Sequence, residues 1–94
     1  MKYFVYLILS TQSKYKNGIS YVGYTNNIKK RLKDHNSSKG AKFTKGRKWK
    51  LAYIKSYNSK SKAMREEYNL KKNAKLRNLI KKNFINENIN STSL

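Results

Sequence analysis

The chain has 94 residues, 23 of them lysine or arginine against four acids, for a formal charge of +19 at pH 7. That length allows one domain with a modest core, and the absence of cysteine excludes disulfides and thiolate metal centres, zinc fingers among them. No apolar run approaches the roughly 20 residues of a membrane span, and so dense a positive charge favours a polyanionic partner, nucleic acid before an anionic membrane surface.

In chain order, Tyr3-Phe4-Val5-Tyr6-Leu7-Ile8-Leu9 follows Lys2 and imitates a signal peptide. No small-residue cleavage site follows it, so it reads as a buried central strand and the chain as cytoplasmic. A polar loop spans 10–18, with Asn17-Gly18 its strongest turn signal, and 19–24 predicts a second, antiparallel strand. Thr25 or Asn26 can cap a helix over 27–36 with Ile28 and Leu32 as its apolar stripe, and Gly40 lies beyond its end. Residues 37–48 form a basic, glycine-bearing loop. The alternation of Trp49, Leu51, Tyr53 and Lys55 predicts a third strand over 49–57, with these four facing one way. Ser59 or Ser61 caps a helix over 62–72, and a third helix follows over 74–84. The last ten residues lack helical periodicity and read as a flexible tail over 85–94. The order β-β-α-β-α-α predicts an α+β domain over 1–84: a small antiparallel three-stranded sheet with flanking helices.

Several residues have chemistry beyond packing. Glu67 lies within the broad face shared by Ala63, Met64, Leu70, Lys71 and Ala74. A carboxylate there needs a partner, either Lys71 at i+4 or a divalent metal. Arg31 and His35, the chain's sole histidine, are one helical turn apart; His35 is either incidental or part of a site. Tyr6 and Tyr21 can lie together on one face of the hairpin, either as ordinary strand residues or as phenols that move a proton.

Taken together, Phe4-Val5-Tyr6, Tyr21-Val22-Gly23, then Arg31, His35 and Glu67 resemble the GIY-YIG nuclease domain over about residues 2–84. The loop Ser38-Lys39-Gly40-Ala41-Lys42-Phe43-Thr44-Lys45-Gly46-Arg47 and the stretch 63–72 are similar to those of the small stand-alone bacterial members. Phe4 replaces the first glycine of the name motif, and Asn83 is a possible counterpart of an asparagine that many members carry after the glutamate. The resemblance implies a divalent-metal-dependent endonuclease acting on DNA with low sequence specificity, since no separate targeting domain is evident. In it Glu67 would hold one Mg²⁺ or Mn²⁺, Arg31 would bind phosphate oxygens, and Tyr6 or Tyr21 would take or relay the proton of the attacking water. His35 would assist that transfer or bind the phosphate, and Gly23 would let the backbone pass close to the site. Lys39, Lys42, Lys45, Arg47, Lys48 and Lys50 would grip the nucleic-acid backbone. Phe43 and Trp49 could stack on an unpaired base, although Trp49 also reads as the first core residue of the third strand. The alternative is a basic nucleic-acid-binding protein without catalysis. A membrane partner is not expected, and a monomer is favoured.

Overall fold

The computed structural model describes residues 1–10 and 18–93, with side chains through Glu87. Asn17, and with it most of the expected loop and turn at 10–18, lies outside the described residues. Strand β1 is Tyr3–Ser10, β2 is Ile19–Thr25 and β3 is Lys50–Tyr57, joined in an antiparallel sheet of order β2-β1-β3. The apolar run takes the central place because a strand with neighbours on both edges and helices on both faces can be apolar on both. Val5, Tyr6, Leu7, Ile8 and Leu9 are all buried.

Helix α1 spans Ile28–Asn36, α2 spans Lys60–Lys72 and α3 spans Ala74–Ser93. Alternation in β1 sends Val5 and Leu7 to one face, where they pack with Val22 and with Ala63 and Leu70 of α2. Tyr6 and Ile8 go to the other face, against Trp49, Leu51 and the stripe Ile28 and Leu32 of α1. The sheet therefore separates two small cores, α1 over one and α2 with Ile80 of α3 over the other.

Three expectations shift. The N-cap of α1 is Asn27, whose Oδ1 accepts from Lys30 N–H at 3.2 Å, rather than Thr25 or Asn26. In β3 the pairing register slips between Leu7 and Ile8, which oppose Tyr53 and Leu51. The extra residue, Ala52, reverses the alternation: Leu51 stays with the α1 core while Tyr53 joins the α2 core, so the expected common face of Trp49, Leu51, Tyr53 and Lys55 does not form. Finally, α3 does not end at Phe84 but continues as helix to Ser93. The segment expected as a tail contains neither proline nor glycine, so nothing interrupts the backbone ladder even though the apolar stripe has ended. Asn73 alone separates α2 from α3; its Oδ1 caps α3 by accepting from Leu76 N–H at 3.0 Å.

Candidate active site

The hairpin register opposes Tyr6 to Gly23 and Ile8 to Tyr21, so the two phenols lie diagonally on the α1 face of the sheet. A Cβ at position 23 would stand 2.5 Å from Tyr6 Oη and 2.7 Å from Cζ. Gly23 is what lets the Tyr6 ring lie across the edge strand. On α1, the four-residue spacing brings Arg31 and His35 to the same phenols. His35 is fully buried, with ring centroids 5.8 Å from Tyr6 and 5.2 Å from Tyr21.

Both imidazole nitrogens are engaged within the protein. Nε2 lies 2.8 Å from Tyr6 Oη, and Nδ1 lies 2.9 Å from Thr44 Oγ1. The Thr44 hydroxyl in turn donates to Ala41 C=O at 2.8 Å. Gly40 closes over the ring so tightly that any side chain there would run into Nδ1. His35 therefore has no face open to a phosphate, which corrects the expectation of a direct contact; among the candidate site residues its hydrogen-bond partner is Tyr6. Trp49 is likewise a buried core residue rather than a stacking platform. Its Nε1–H donates to Thr44 C=O at 3.0 Å, and its backbone is held by the Asn36 amide, which accepts from Trp49 N–H at 2.6 Å and donates to Trp49 C=O at 3.1 Å.

Burial raises the Tyr6 phenol above its usual pKa, against the Arg31 guanidinium beside it, which pulls the value down; Tyr21 and Glu67 act on it from further away. The same contact with Tyr6 raises the Arg31 value. Burial, then the Arg31 charge, lowers His35 below its ordinary 6.5, opposed by Asp34. Tyr6 is thus held as a neutral phenol and His35 as a neutral imidazole at pH 7.

Glu67 comes from the other side of the sheet. It lies on α2, half-buried, with Oε1 3.3 Å from Lys71 Nζ, the i+4 pair foreseen as one of its two readings. The structure therefore brings Tyr6, Tyr21 and His35 into direct contact beside the edge strand β2, with the Arg31 charge acting on Tyr6, while Glu67 acts on Tyr6 only electrostatically. At that edge a groove of about 260 Å³ is lined by Ser20, Tyr21, Val22, Phe43, Lys71 and Arg77, joining residues of both layers. Phe43 is 52% exposed, stacks on Tyr21 at 6.2 Å and carries the Arg47 guanidinium 5.9 Å above its ring. Lys39, Lys42, Lys45, Lys48 and Lys50, on the same loop and the start of β3, are exposed. Arg77 is set by Nη1–H bonds to the Leu70 and Lys71 carbonyls at the end of α2. Asn83 is exposed on α3 and makes no described contact with the cluster.

Nothing in the sequence marks Thr44, Asn36 or Arg77 as part of the site, and Gly40 reads there only as a residue beyond the end of a helix. Thr44 and Gly40 lie in the basic loop, where no periodicity links them to α1. Arg77 is one cation among 23.

Comparison with known proteins finds one family and a set of relatives. The profile described as the GIY-YIG catalytic domain matches residues 2–81. UPF0213 proteins are 44% identical in Staphylococcus haemolyticus, over 74% of this chain and 80% of that one, and 42% identical in Clostridium perfringens, over 80% and 85%. A UPF0213 protein of Bacillus licheniformis is 52% identical over 61% of this chain, which spans 60% of that relative's length. The solution NMR structure of a UPF0213 protein from Bacillus halodurans is 38% identical, covers 84% of this chain and 85% of its own, and superposes with a TM-score of 0.47. The chain belongs to the GIY-YIG nuclease family.

Proposed function

We propose that the chain is a divalent-metal-dependent endonuclease that hydrolyses phosphodiester bonds in DNA with little sequence preference. The carrying observation is the association of Tyr6, Tyr21, Arg31 and His35 on the α1 face of the sheet, where Tyr21 also lines a cationic groove at the sheet edge. Phosphodiester hydrolysis needs a positioned water, donors to the non-bridging oxygens and a cation for the leaving oxygen.

The residues fit a hard cation. Among the described residues no three His, Cys, Asp or Glu side chains cluster, but Mg²⁺ accepts one carboxylate and keeps several waters. Glu67 would be that carboxylate, with the cation taking the place of the Lys71 ammonium that now stands 3.3 Å from Oε1. When bound there, Mg²⁺ or Mn²⁺ would neutralise charge growing on the phosphate and on its leaving oxygen. Arg31 offers planar donors to the non-bridging oxygens, held in place by the Tyr6 phenol. Tyr21 is the phenol on the groove, so it orients the attacking water and relays its proton outward, while buried Tyr6 holds Arg31. Lys71, Arg77 and the loop lysines receive the flanking phosphates.

The test compares the native chain with Glu67→Ala, Arg31→Ala and Tyr21→Phe on single-stranded, duplex and branched DNA, in Mg²⁺, Mn²⁺ and EDTA. Cation-dependent cleavage lost by about 100-fold or more in each variant is expected, the scale of removing one transition-state donor or general base. Equal cleavage by all four proteins would overturn the assignment. The Glu67–Lys71 pair, on the layer opposite His35, favours a second reading, a basic nucleic-acid binder without turnover. Tight binding with no product in Mn²⁺ would select it.

A further inference from the structure

A line of hydrogen bonds runs through the buried α1 layer from Tyr6 to Ala41, and its direction is fixed at the inner end. Beyond the outer end stands Arg31, a donor-only group whose charge acts on the Tyr6 phenol. At the inner end is the Ala41 carbonyl, an acceptor-only group, which takes the Thr44 hydroxyl proton at 2.8 Å. Between them stand Tyr6 Oη, 2.8 Å from His35 Nε2, and Thr44 Oγ1, 2.9 Å from His35 Nδ1. A hydroxyl has one proton. The Thr44 proton is spent on Ala41, so Thr44 can only accept from the ring, and His35 carries its proton on Nδ1. Nε2 is then bare and accepts the Tyr6 proton, which leaves the phenol oxygen's lone pairs to Arg31. In the reverse order, Nε2–H would donate to Tyr6, and the Tyr6 proton would be left facing a guanidinium that cannot accept it. Thr44 Oγ1 would also face the Ala41 oxygen lone pair to lone pair. His35 and Thr44 have no exposed surface, and Gly40 and Trp49 pin the ring and the Thr44 carbonyl, so no water competes for these bonds and rotation is blocked.

We infer that Thr44 is a positioning residue: it fixes the Nδ1–H tautomer of His35, and through the ring it turns the Tyr6 hydroxyl inward so that the phenol oxygen anchors Arg31. Its consequence for turnover rests on the nuclease reading; the tautomer itself does not.

Because the chain has a single histidine, ¹⁵N NMR of the histidine-labelled intact protein reads this ring alone. At pH 7 the native spectrum shows a protonated Nδ1 and an unprotonated Nε2. Thr44→Val, which keeps the shape and removes the acceptor, moves the ring toward Nε2–H, and Thr44→Ser keeps the native pattern. In cleavage assays Thr44→Val lowers kcat by about 10- to 100-fold, the scale of a small misplacement of a substrate-binding group, with KM for DNA unchanged. Thr44→Ser restores turnover. A native Nε2–H spectrum overturns the inference whether or not Thr44→Val folds. So does a folded Thr44→Val with native tautomer and native kcat. If no form of the protein cleaves DNA while the spectra follow the expected pattern, the nuclease reading fails and the assignment of the tautomer to Thr44 stands.

Discussion

A methyl group at position 23 would compete for the space of the Tyr6 phenol, with only 2.5 Å to Oη. Tyr6 has no room to retreat, since it is 1% exposed and bonded to His35 behind it. Gly23→Ala is therefore expected to destabilise the fold by about 1–3 kcal/mol, as overpacking does, visible as a lower urea midpoint, and to shift Tyr6 and with it Arg31, with loss of cleavage. His35 supplies a second prediction at the same scale. Its folded pKa lies below the unfolded value near 6.5, because burial and Arg31 oppose the charged ring while Asp34 only partly offsets them. As pH falls below 6.5 the unfolded chain gains this proton and the folded one does not, so stability declines until the folded pKa is passed. Urea midpoints should fall from pH 7 to about pH 5.5, a window above the carboxylate range, and His35→Gln should flatten the slope. The acids and aromatics of this site were legible as isolated residues, since a carboxylate in an apolar helical face and a phenol in a strand each pose a question. What joins them was not. Thr44 reaches His35 across nine positions with no shared period, and only the folded loop puts them in contact.

At the level of elements, the segment from Ser37 to Trp49 behaves as a clamp rather than as a free basic loop. Asn36 pairs with both the N–H and the C=O of Trp49, as a neighbouring strand would, and the Trp49 indole holds the Thr44 carbonyl. Trp49→Phe leaves that buried carbonyl without its donor, at about 1–3 kcal/mol. The loss should be local: amide exchange over 37–48 accelerates more than in the central strand β1, whose ladder is held by β2 and β3 on both edges. An equal acceleration in β1 would show the loop and sheet to open as one unit. The elements themselves were readable wherever a period persists. β1 announces itself by an unbroken apolar run, and α2 by Ser59 followed by its stripe, with Ser59 Oγ accepting from Lys62 N–H at 3.2 Å. The bulge at Ala52 was not readable, because Trp49, Leu51 and Tyr53 keep a strand's alternation in sequence while the backbone breaks it. The length of α3 was missed for the converse reason. A helix needs only an uninterrupted backbone ladder, whereas its apolar stripe reports what it packs on, so the end of a stripe in sequence does not mark the end of a helix.

Across the whole molecule, the four acids are too few to organise the charge. Asp34 is paired with Lys30 at 3.2 Å and Glu67 with Lys71 at 3.3 Å, each within one helix. The remaining field is positive and alone carries no sequence information. What distinguishes the groove from the rest of this surface is arrangement: exposed loop lysines and Arg47 flank Phe43 on one side, and Lys71 and Arg77 face it across Tyr21. Binding to duplex DNA in EDTA, where cleavage is suppressed, separates the two contributions. If the loop is the track of the strand, Lys42→Gln, Lys45→Gln and Lys48→Gln together remove three phosphate contacts. The slope of log K against log salt should then become shallower by about 3, with equal effect on unrelated sequences. A diffuse field predicts something else: three charges removed from +19 would weaken binding only slightly, wherever on the surface they were taken. A control triple at Lys29, Lys62 and Lys75, all exposed and away from the groove, tells these apart. Equal slopes for the two triples would mean that the charge is used without regard to place. A steeper loss from the loop triple alone would mean that the same structure that buries His35 also lays the nucleic-acid backbone against Tyr21.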